Sequence, residues 1–482
     1  MSSTRLGRRT APDAWRLPPP SRPGIVHIGL GAFHRAHQAV YTDAALRYAG
    51  GDWGIVAVAP RSPATVSAIN EQDGLFSVTT LSAGPPVTEV IGSLVGALHL
   101  PSQGEAVLDL LADPATRVVT LTVTEKAYLT DGAGRLLDDP QLLADLVGLA
   151  PPRTVVGLLA RALRRRAATG GAPLALVSCD NLPANGERLR SALCQALGEE
   201  PGSWAAFPST MVDRIVPAST PRTYERARQA LGCTDEAAVE AEPFNQWVIE
   251  DDPAMPWRFF PGGRPAWESG GATFSAQVPA YERLKLRMLN GVHSTLAYLG
   301  CLAGVATIRE ALLLPGMADF IDKLMAEDIA PTVRAPDGVS VKAYGASVLD
   351  RFANPAIEHR TMQVAMDGSQ KLPQRVFAAV AERRAAGAEP VYLATTVAAW
   401  ARFLGGLSDD GAVLPLDDPL AAALRDALTA AGDDATAQVR AILGVAAVAP
   451  EGLADDATLV GLVAERLAAL RSGGVAGLLA SG

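Results

Sequence analysis

Residues 281–300 read YERLKLRMLNGVHSTLAYLG, an apolar, helix-like run that carries Lys285, Asn290 and His293 in the spacing K-x4-N-x2-H. As an α-helix at about 100° per residue, the run puts Asn290 about 140° and His293 about 80° round from Lys285, within one broad face. Lys285 and His293 then lie roughly 12 Å apart along the axis, a span that side chains can bridge towards one small molecule. Each residue has a plain structural use: a lysine that snorkels, an asparagine bonded to a loop, a satisfied core histidine. All three together suit the oxidation of a secondary alcohol. A base takes the hydroxyl proton, donors hold the developing alkoxide, and hydride leaves to a nicotinamide. A lysine serves as the base when burial and nearby cations lower its pKa, and asparagine amides can hold the oxyanion. No metal is expected, because the six histidines include no H-E-x-x-H and Cys179, Cys194, Cys233 and Cys301 include no C-x-x-C pair.

A second candidate is HIGLGAFHRAHQ, which holds Gly29 and Gly31 with no third glycine; His34 stands at the sixth position. Two close glycines often make only a tight turn. Here a strand-like run precedes them and a helix-like run follows, the setting in which bare N–H groups receive a pyrophosphate. Gly29, Gly31, Ala32 and Phe33 are the expected contacts, with Arg35 as a cation beside the phosphates. The second strand-like run should end in an acid if it binds the ribose hydroxyls of NAD. It ends instead in VAVAPRS, with Arg61. An arginine there can face a 2′-phosphate, stack on adenine or sit in solvent.

These residues need elements to position them. GIVHI, WGIVAVAP (53–60), RVVTLTVTE (117–125) and PLALVSCDN (173–181) are rich in Val, Leu and Ile and end in polar residues, as buried parallel strands do. TVVGLLARALRRRAATGG between the last two is amphipathic and closes on Gly170 and Gly171, so it predicts a helix. Strands alternating with helices predict a doubly wound sheet. Beyond about residue 280 the pattern predicts helices over 281–304, 306–327, 340–352, 373–386, 391–404, 417–431 and 456–471. The expected organisation is an extended, proline-rich arm over 1–22, a dinucleotide-binding Rossmann-type domain over 23–280, and a mainly helical substrate-binding domain over 281–482.

The chain has 482 residues, 49% hydrophobic and 19% charged, which is globular composition with enough length for a large core. A net charge of −9 argues against nucleic acid. No long uncharged apolar run and no secretory signal is evident, so no membrane role and a reducing cytoplasm are expected.

Seven motifs together resemble the polyol-specific long-chain dehydrogenases. They are GLGAFHRAHQA, LTVTEKAY, SCDNLPANG, FPSTMVDRIVPA, EPFNQWVIED, KLRMLNGVHSTLAYLG and RFANPAIEHRTMQVAMDGSQKLPQR, and the likeness runs over about 20–430. The resemblance implies an enlarged Rossmann domain followed by a helical domain, and NAD(H) as cofactor, with Arg61 keeping NADP(H) open. It implies Lys285 as a zinc-independent general base, Asn290 and Asn181 as the oxyanion hole, His293 as the group that orients substrate, and Asp213 as an acid near the lysine. Thr124 and Glu125 would lie by the cofactor. TEKAY is similar to the T-E-K-G-Y of the branch that acts on mannonate and fructuronate, where the mannitol branch has T-E-G-G-Y. Lys126 is thus an extra cation by the nicotinamide, and Ala127 departs from the branch's glycine. Lys126, Arg360 and Lys371 are candidates for a substrate carboxylate, and Gln363 stands where the mannitol branch has arginine. The implied partner is a small sugar acid or neutral polyol, and the implied state a monomer or small homo-oligomer.

Overall fold

The computed structural model describes residues 4–12, 22–252, 254–255 and 258–480. The chain divides into two compact units, Met1–Pro279 and Ala280–Gly482. Residues 13–21 of the expected arm lie outside the described residues. Residues 4–12 are tied down: the Leu6 N–H donates to the Thr234 carbonyl at 2.8 Å, and Leu6 packs with Leu75, Val90 and Leu231.

The first unit is built on a six-stranded sheet in the spatial order Leu94–His99, Gly54–Ala59, Pro23–Ile28, Val118–Leu121, Leu174–Ser178, Ala205–Ala206, with every pairing parallel. Both faces are covered, which is why these strands read as unbroken apolar runs. Alternate residues go to opposite sides. Ile25, Ala57, Val118, Ala175 and Val177 enter one core; Val26, Ile28, Val58, Val119, Leu121, Leu174 and Leu176 enter the other. The expected helix forms over Val155–Thr169. The Thr154 side chain accepts the Gly157 N–H at its start, and Leu158, Leu159, Ala162 and Leu163 are buried along its inner face.

The sequence pattern did not single out the strand Leu94–His99 or two small three-stranded sheets. One joins Phe76–Thr80 to Val87–Ile91 and Val239–Ala241; the other joins Gln246–Glu250 to Thr210–Asp213 and Thr273–Ser275. Their strands are short, and Val239–Ala241 pairs with Phe76–Thr80, about 160 residues earlier, which no local period reveals.

The second unit is helical. Val341–Phe352, Val391–Leu404 and Ala421–Ala431 fall on three of the expected segments. The segment 306–327 is broken into Ile308–Leu312 and Met317–Lys323, because Pro315 and Gly316 intervene and Gly316 has φ 81°. The final helix runs to Ala480 with a kink at Gly474, and Ala435–Leu443 is an additional helix. Trp400, Phe377 and Phe403 are fully buried in its core, each contributing on the order of 2–3 kcal/mol of burial. Among the described residues three π-helical turns occur: Lys285–Gly291, Leu324–Ile329 and Pro373–Phe377.

Candidate active site

In the first unit the glycine turn leaves the carboxyl end of Pro23–Ile28. Gly29 has φ 115°, and a Cβ there would lie 2.2 Å from the Thr122 carbonyl oxygen, so only glycine fits. Gly31 caps the short helix Ala32–Ala36 with extended backbone and is exposed; a Cβ there would meet only the Gly29 carbonyl, at 3.7 Å. Ala32 and Phe33 are half-buried beside it. The first glycine is therefore required by the fold, whereas the second leaves open room over a helix start, as a pyrophosphate needs.

Beneath the turn lies His27, which sequence reasoning passed over as one residue of a strand. Its Nδ1 is 2.7 Å from Thr120 Oγ1, and its Nε2 is 2.9 Å from Thr122 Oγ1 and 3.2 Å from the Gly29 carbonyl. Its ring stacks on His34 with centroids 3.3 Å apart. Burial drives the His27 pKa down to about 3, so the ring is a neutral hydrogen-bonding strut.

Arg35 does not face the open side of the turn. It is buried, its Nε donates to the Gly31 carbonyl at 3.2 Å, and its Nη1 donates to the Ala237 carbonyl. The expectation that it lies beside phosphates is corrected: the guanidinium ties the turn to residues 235–237 of the same unit. Arg61 is exposed just beyond Gly54–Ala59, and its carbonyl accepts from His99 Nε2 at 3.4 Å.

Thr124, Glu125 and Lys126 are exposed and follow Val118–Leu121, where a 3-10 turn spans Glu125–Tyr128. Asn181 is exposed three residues beyond Leu174–Ser178. Gly29, Arg61, Lys126 and Asn181 thus follow the carboxyl ends of four adjacent parallel strands, the edge at which doubly wound sheets bind ligands. Asp213 is buried at the end of Thr210–Asp213, in a different sheet, opposite Gln246.

In the second unit the K-x4-N-x2-H run is not one α-helix. Val278–Leu284 and Val292–Leu302 are α-helical, but Lys285–Gly291 between them is a π-turn. In an α-helix residue i+5 lies 140° off residue i; with i→i+5 hydrogen bonds it comes round above it. Asn290 therefore follows Lys285 by one π-turn, and His293 follows Asn290 by three residues. The angles expected from an α-helix are corrected accordingly. The turn is anchored by Arg287, a polar residue of the run that sequence reasoning left without a role. It donates to both Glu382 carboxylate oxygens at 2.7 and 2.6 Å and to the Thr332 carbonyl at 2.6 Å. Gly291 lets the π-turn Pro373–Phe377 approach, since a Cβ there would lie 3.0 Å from the Arg375 carbonyl.

Lys285 is 8% exposed, while Asn290 and His293 are half-buried. The His293 ring stacks on Phe352 at 4.9 Å and lies 5.2 Å from His359. Its Nε2 is buried with no hydrogen-bond partner among the described residues, which marks it as a group awaiting one. Burial holds His293 well below the usual histidine pKa, and His359, Arg375, Arg351 and Lys371 push the same way. His293 is thus a neutral imidazole in a positive neighbourhood. Arg351 is buried, and Arg375 donates to Ser294 Oγ at 3.3 Å. Lys371 donates to the Met366 carbonyl at 2.6 Å, and burial followed by Arg375 lowers its pKa.

Of the expected substrate contacts, Lys371 is in this cluster, whereas Arg360 and Gln363 are exposed on and beside the helix Thr361–Ala365. Sequence reasoning missed Arg351, His359 and Arg375. The only available signal was that RFANPAIEHRTMQ and KLPQR hold unusually many cations between apolar residues.

Residues 23–268 match the family model for the mannitol dehydrogenase Rossmann domain, and residues 277–471 match that for the mannitol dehydrogenase C-terminal domain. The chain belongs to the mannitol dehydrogenase family. It is therefore an oxidoreductase with a Rossmann-type domain followed by a helical domain. D-mannonate oxidoreductase of Escherichia coli is 40% identical over 452 residues, covering 91% of each chain. A mannitol 2-dehydrogenase of Cereibacter sphaeroides is 39% identical over 415 residues, covering 84% of this chain and 85% of that one. The solved mannitol 2-dehydrogenase of Pseudomonas fluorescens, a ternary complex with NAD and D-mannitol, is 33% identical with a TM-score of 0.84 over 99% of both chains. Among the described residues, no helix is long and apolar enough to cross a membrane.

Proposed function

We propose that this dehydrogenase reversibly reduces D-fructuronate to D-mannonate with NADH, using Lys285 as general acid and base and no metal. NADH supplies the hydride when bound. The glycine turn suits its pyrophosphate: Gly29 gives the sharp turn and Gly31 leaves the helix start open. The Lys285 ammonium gives a proton to the ketone oxygen as hydride reaches the carbon, and the Asn290 and Asn181 amides hold the oxygen while its charge builds. His293 orients a substrate hydroxyl through its unpartnered Nε2. In oxidation the same lysine, neutral, takes the proton back.

The observation that carries the sugar-acid reading is the cation set round His293. Arg351, Lys371 and Arg375 bear on one neutral imidazole a short way along the helix from Lys285. Such a neighbourhood favours an anionic substrate over a neutral one. Within the first unit, Lys126 is an exposed cation that follows the strand Val118–Leu121. A second reading keeps the chemistry and takes a neutral pair, D-mannitol and D-fructose or D-arabinitol and D-xylulose. It is favoured by the near-equal identity, 39% against 40%, to a mannitol 2-dehydrogenase.

The test is an initial-rate comparison on the purified chain, following NADH absorbance with D-fructuronate and with D-fructose, each repeated with NADPH. The expected result is a kcat/KM for fructuronate at least tenfold above that for fructose, with NADH preferred. A preference for fructose would establish the second reading. A preference for NADPH would assign the exposed Arg61 to a 2′-phosphate.

A further inference from the structure

Tyr128 and Ser178, both buried, and Asp180, half-buried, form a polar cluster that no step above uses. Tyr128 closes the 3-10 turn that carries Glu125 and Lys126. Its hydroxyl donates to Asp180 Oδ2 and lies 2.7 Å from Ser178 Oγ. Ser178 Oγ donates to the same carboxylate oxygen at 2.7 Å, and the other oxygen, Oδ1, accepts the Leu182 N–H at 2.8 Å. Asn185 pins the peptide that enters Asn181: its Nδ2 donates to the Asp180 carbonyl at 3.2 Å and to the Thr210 carbonyl at 2.9 Å. Its Oδ1 accepts the Thr210 N–H at 2.9 Å. Both flanks of Asn181 are therefore fixed, while Asn181 itself is exposed at the strand ends.

A phenylalanine at 128 would fill the same space. A buried hydroxyl aimed at a half-buried carboxylate costs desolvation of both groups, so what it returns is geometry. Burial, the largest influence, raises the Asp180 pKa, and the bonds from Tyr128, Ser178 and Leu182 act against it by favouring the charged, acceptor-only form.

We propose that Tyr128, acting through Asp180, is a positioning residue that holds the Asn181 amide where the oxyanion forms, and that it locks the Lys126 turn to the same frame. This rests on the reading of Asn181 as an oxyanion donor. The brace is short and rigid, made of side chains that leave two adjacent strand ends.

A double-mutant cycle on the full chain tests it, with NADH and whichever of D-fructuronate and D-fructose the wild type reduces faster. Asn181→Ala is expected to lower kcat about 10²–10³-fold, as loss of an oxyanion donor does. Tyr128→Phe is expected to lower kcat roughly tenfold with the KM for NADH within about twofold, since a misplaced donor loses transition-state contact without touching the cofactor. In the Asn181→Ala background, Tyr128→Phe should cost less than about twofold, because the group it positions is gone. A merely structural tyrosine would cost the same in both backgrounds, and that result would overturn the proposal, as would a Tyr128→Phe enzyme with wild-type kcat. If Asn181→Ala keeps wild-type kcat, the oxyanion reading itself fails and takes the brace with it. Ser178→Ala, which removes the second donor to Asp180, should repeat the pattern more weakly and serves if Tyr128→Phe does not fold.

Discussion

Alanine at the two glycines of the turn should separate a demand of the fold from a demand of the cofactor. At Gly29 the left-handed backbone, φ 115°, costs an alanine about 1–2 kcal/mol. The new Cβ would also stand 2.2 Å from the Thr122 carbonyl oxygen, so that residue must move. Thr122 Oγ1 makes two hydrogen bonds there, to His27 and to the Gly29 carbonyl, each worth about 1 kcal/mol. Together Gly29→Ala should cost roughly 3–4 kcal/mol, which lowers the melting temperature of a unit of this size by about 6–16 °C. Gly31→Ala has no such penalty. Its φ is −109°, and the nearest atom to a new Cβ is 3.7 Å away. Its melting temperature should stay within about 1 °C of wild type. Its methyl, however, would stand where a pyrophosphate must approach. Losing one hydrogen bond to a charged phosphate, about 1.5–3 kcal/mol, weakens NADH binding about 10–100-fold. Calorimetry and NADH fluorescence titration on both variants provide the assay. A Gly31→Ala protein that binds NADH as wild type does would refute the assignment of this turn to the cofactor. A Gly29→Ala protein of unchanged melting temperature would refute the steric argument.

Lys285→Ala should abolish turnover, by at least about 10²–10⁴-fold in kcat, while NADH binding stays near wild type; stopped-flow single-turnover rates report it, and a variant with wild-type kcat would sink the mechanism. Lys126→Ala should reduce kcat/KM for D-fructuronate far more than for D-fructose, and equal losses on both would make this lysine irrelevant to substrate choice. Stability should fall with acid. His27 and His359 have pKa values lowered to about 3 and about 4 by burial, and His34 and His293 are lowered too. The unfolded chain therefore binds more protons below pH 6.5, and each such histidine removes up to about 1.4 kcal/mol per pH unit from there down to its folded value. Urea midpoints should be flat from pH 8 to 7 and drop from 6.5 to 5; a midpoint unchanged at pH 5 would mean that these rings are not held neutral.

Much of this protein was legible in one dimension. Burial on both faces makes parallel strands read as unbroken apolar runs, so four strands of the main sheet and the helix Val155–Thr169 were visible directly. The Lys285, Asn290 and His293 set was visible because polar groups inside an apolar helix need a reason. The seven motifs carried the family, and residue chemistry carried the reaction class. The tertiary structure decided three further matters. First, local hydrogen bonding replaced an α-turn by a π-turn, which turns the five-residue spacing of Lys285 and Asn290 from 140° apart into one turn apart. Residue spacing alone does not reveal this, because the turn is held by Arg287 pairing with Glu382, 95 residues away. Second, long-range packing chose among cations of similar sequence context. It buried Arg35 against Ala237 and left Arg360 exposed, and it gathered Arg351, Lys371 and Arg375 round His293. Third, it joined Tyr128 to Asp180 across two strand ends. A charge's role depends on what it faces, and facing is set by packing between distant segments, whereas periodicity and residue chemistry are already present in the chain.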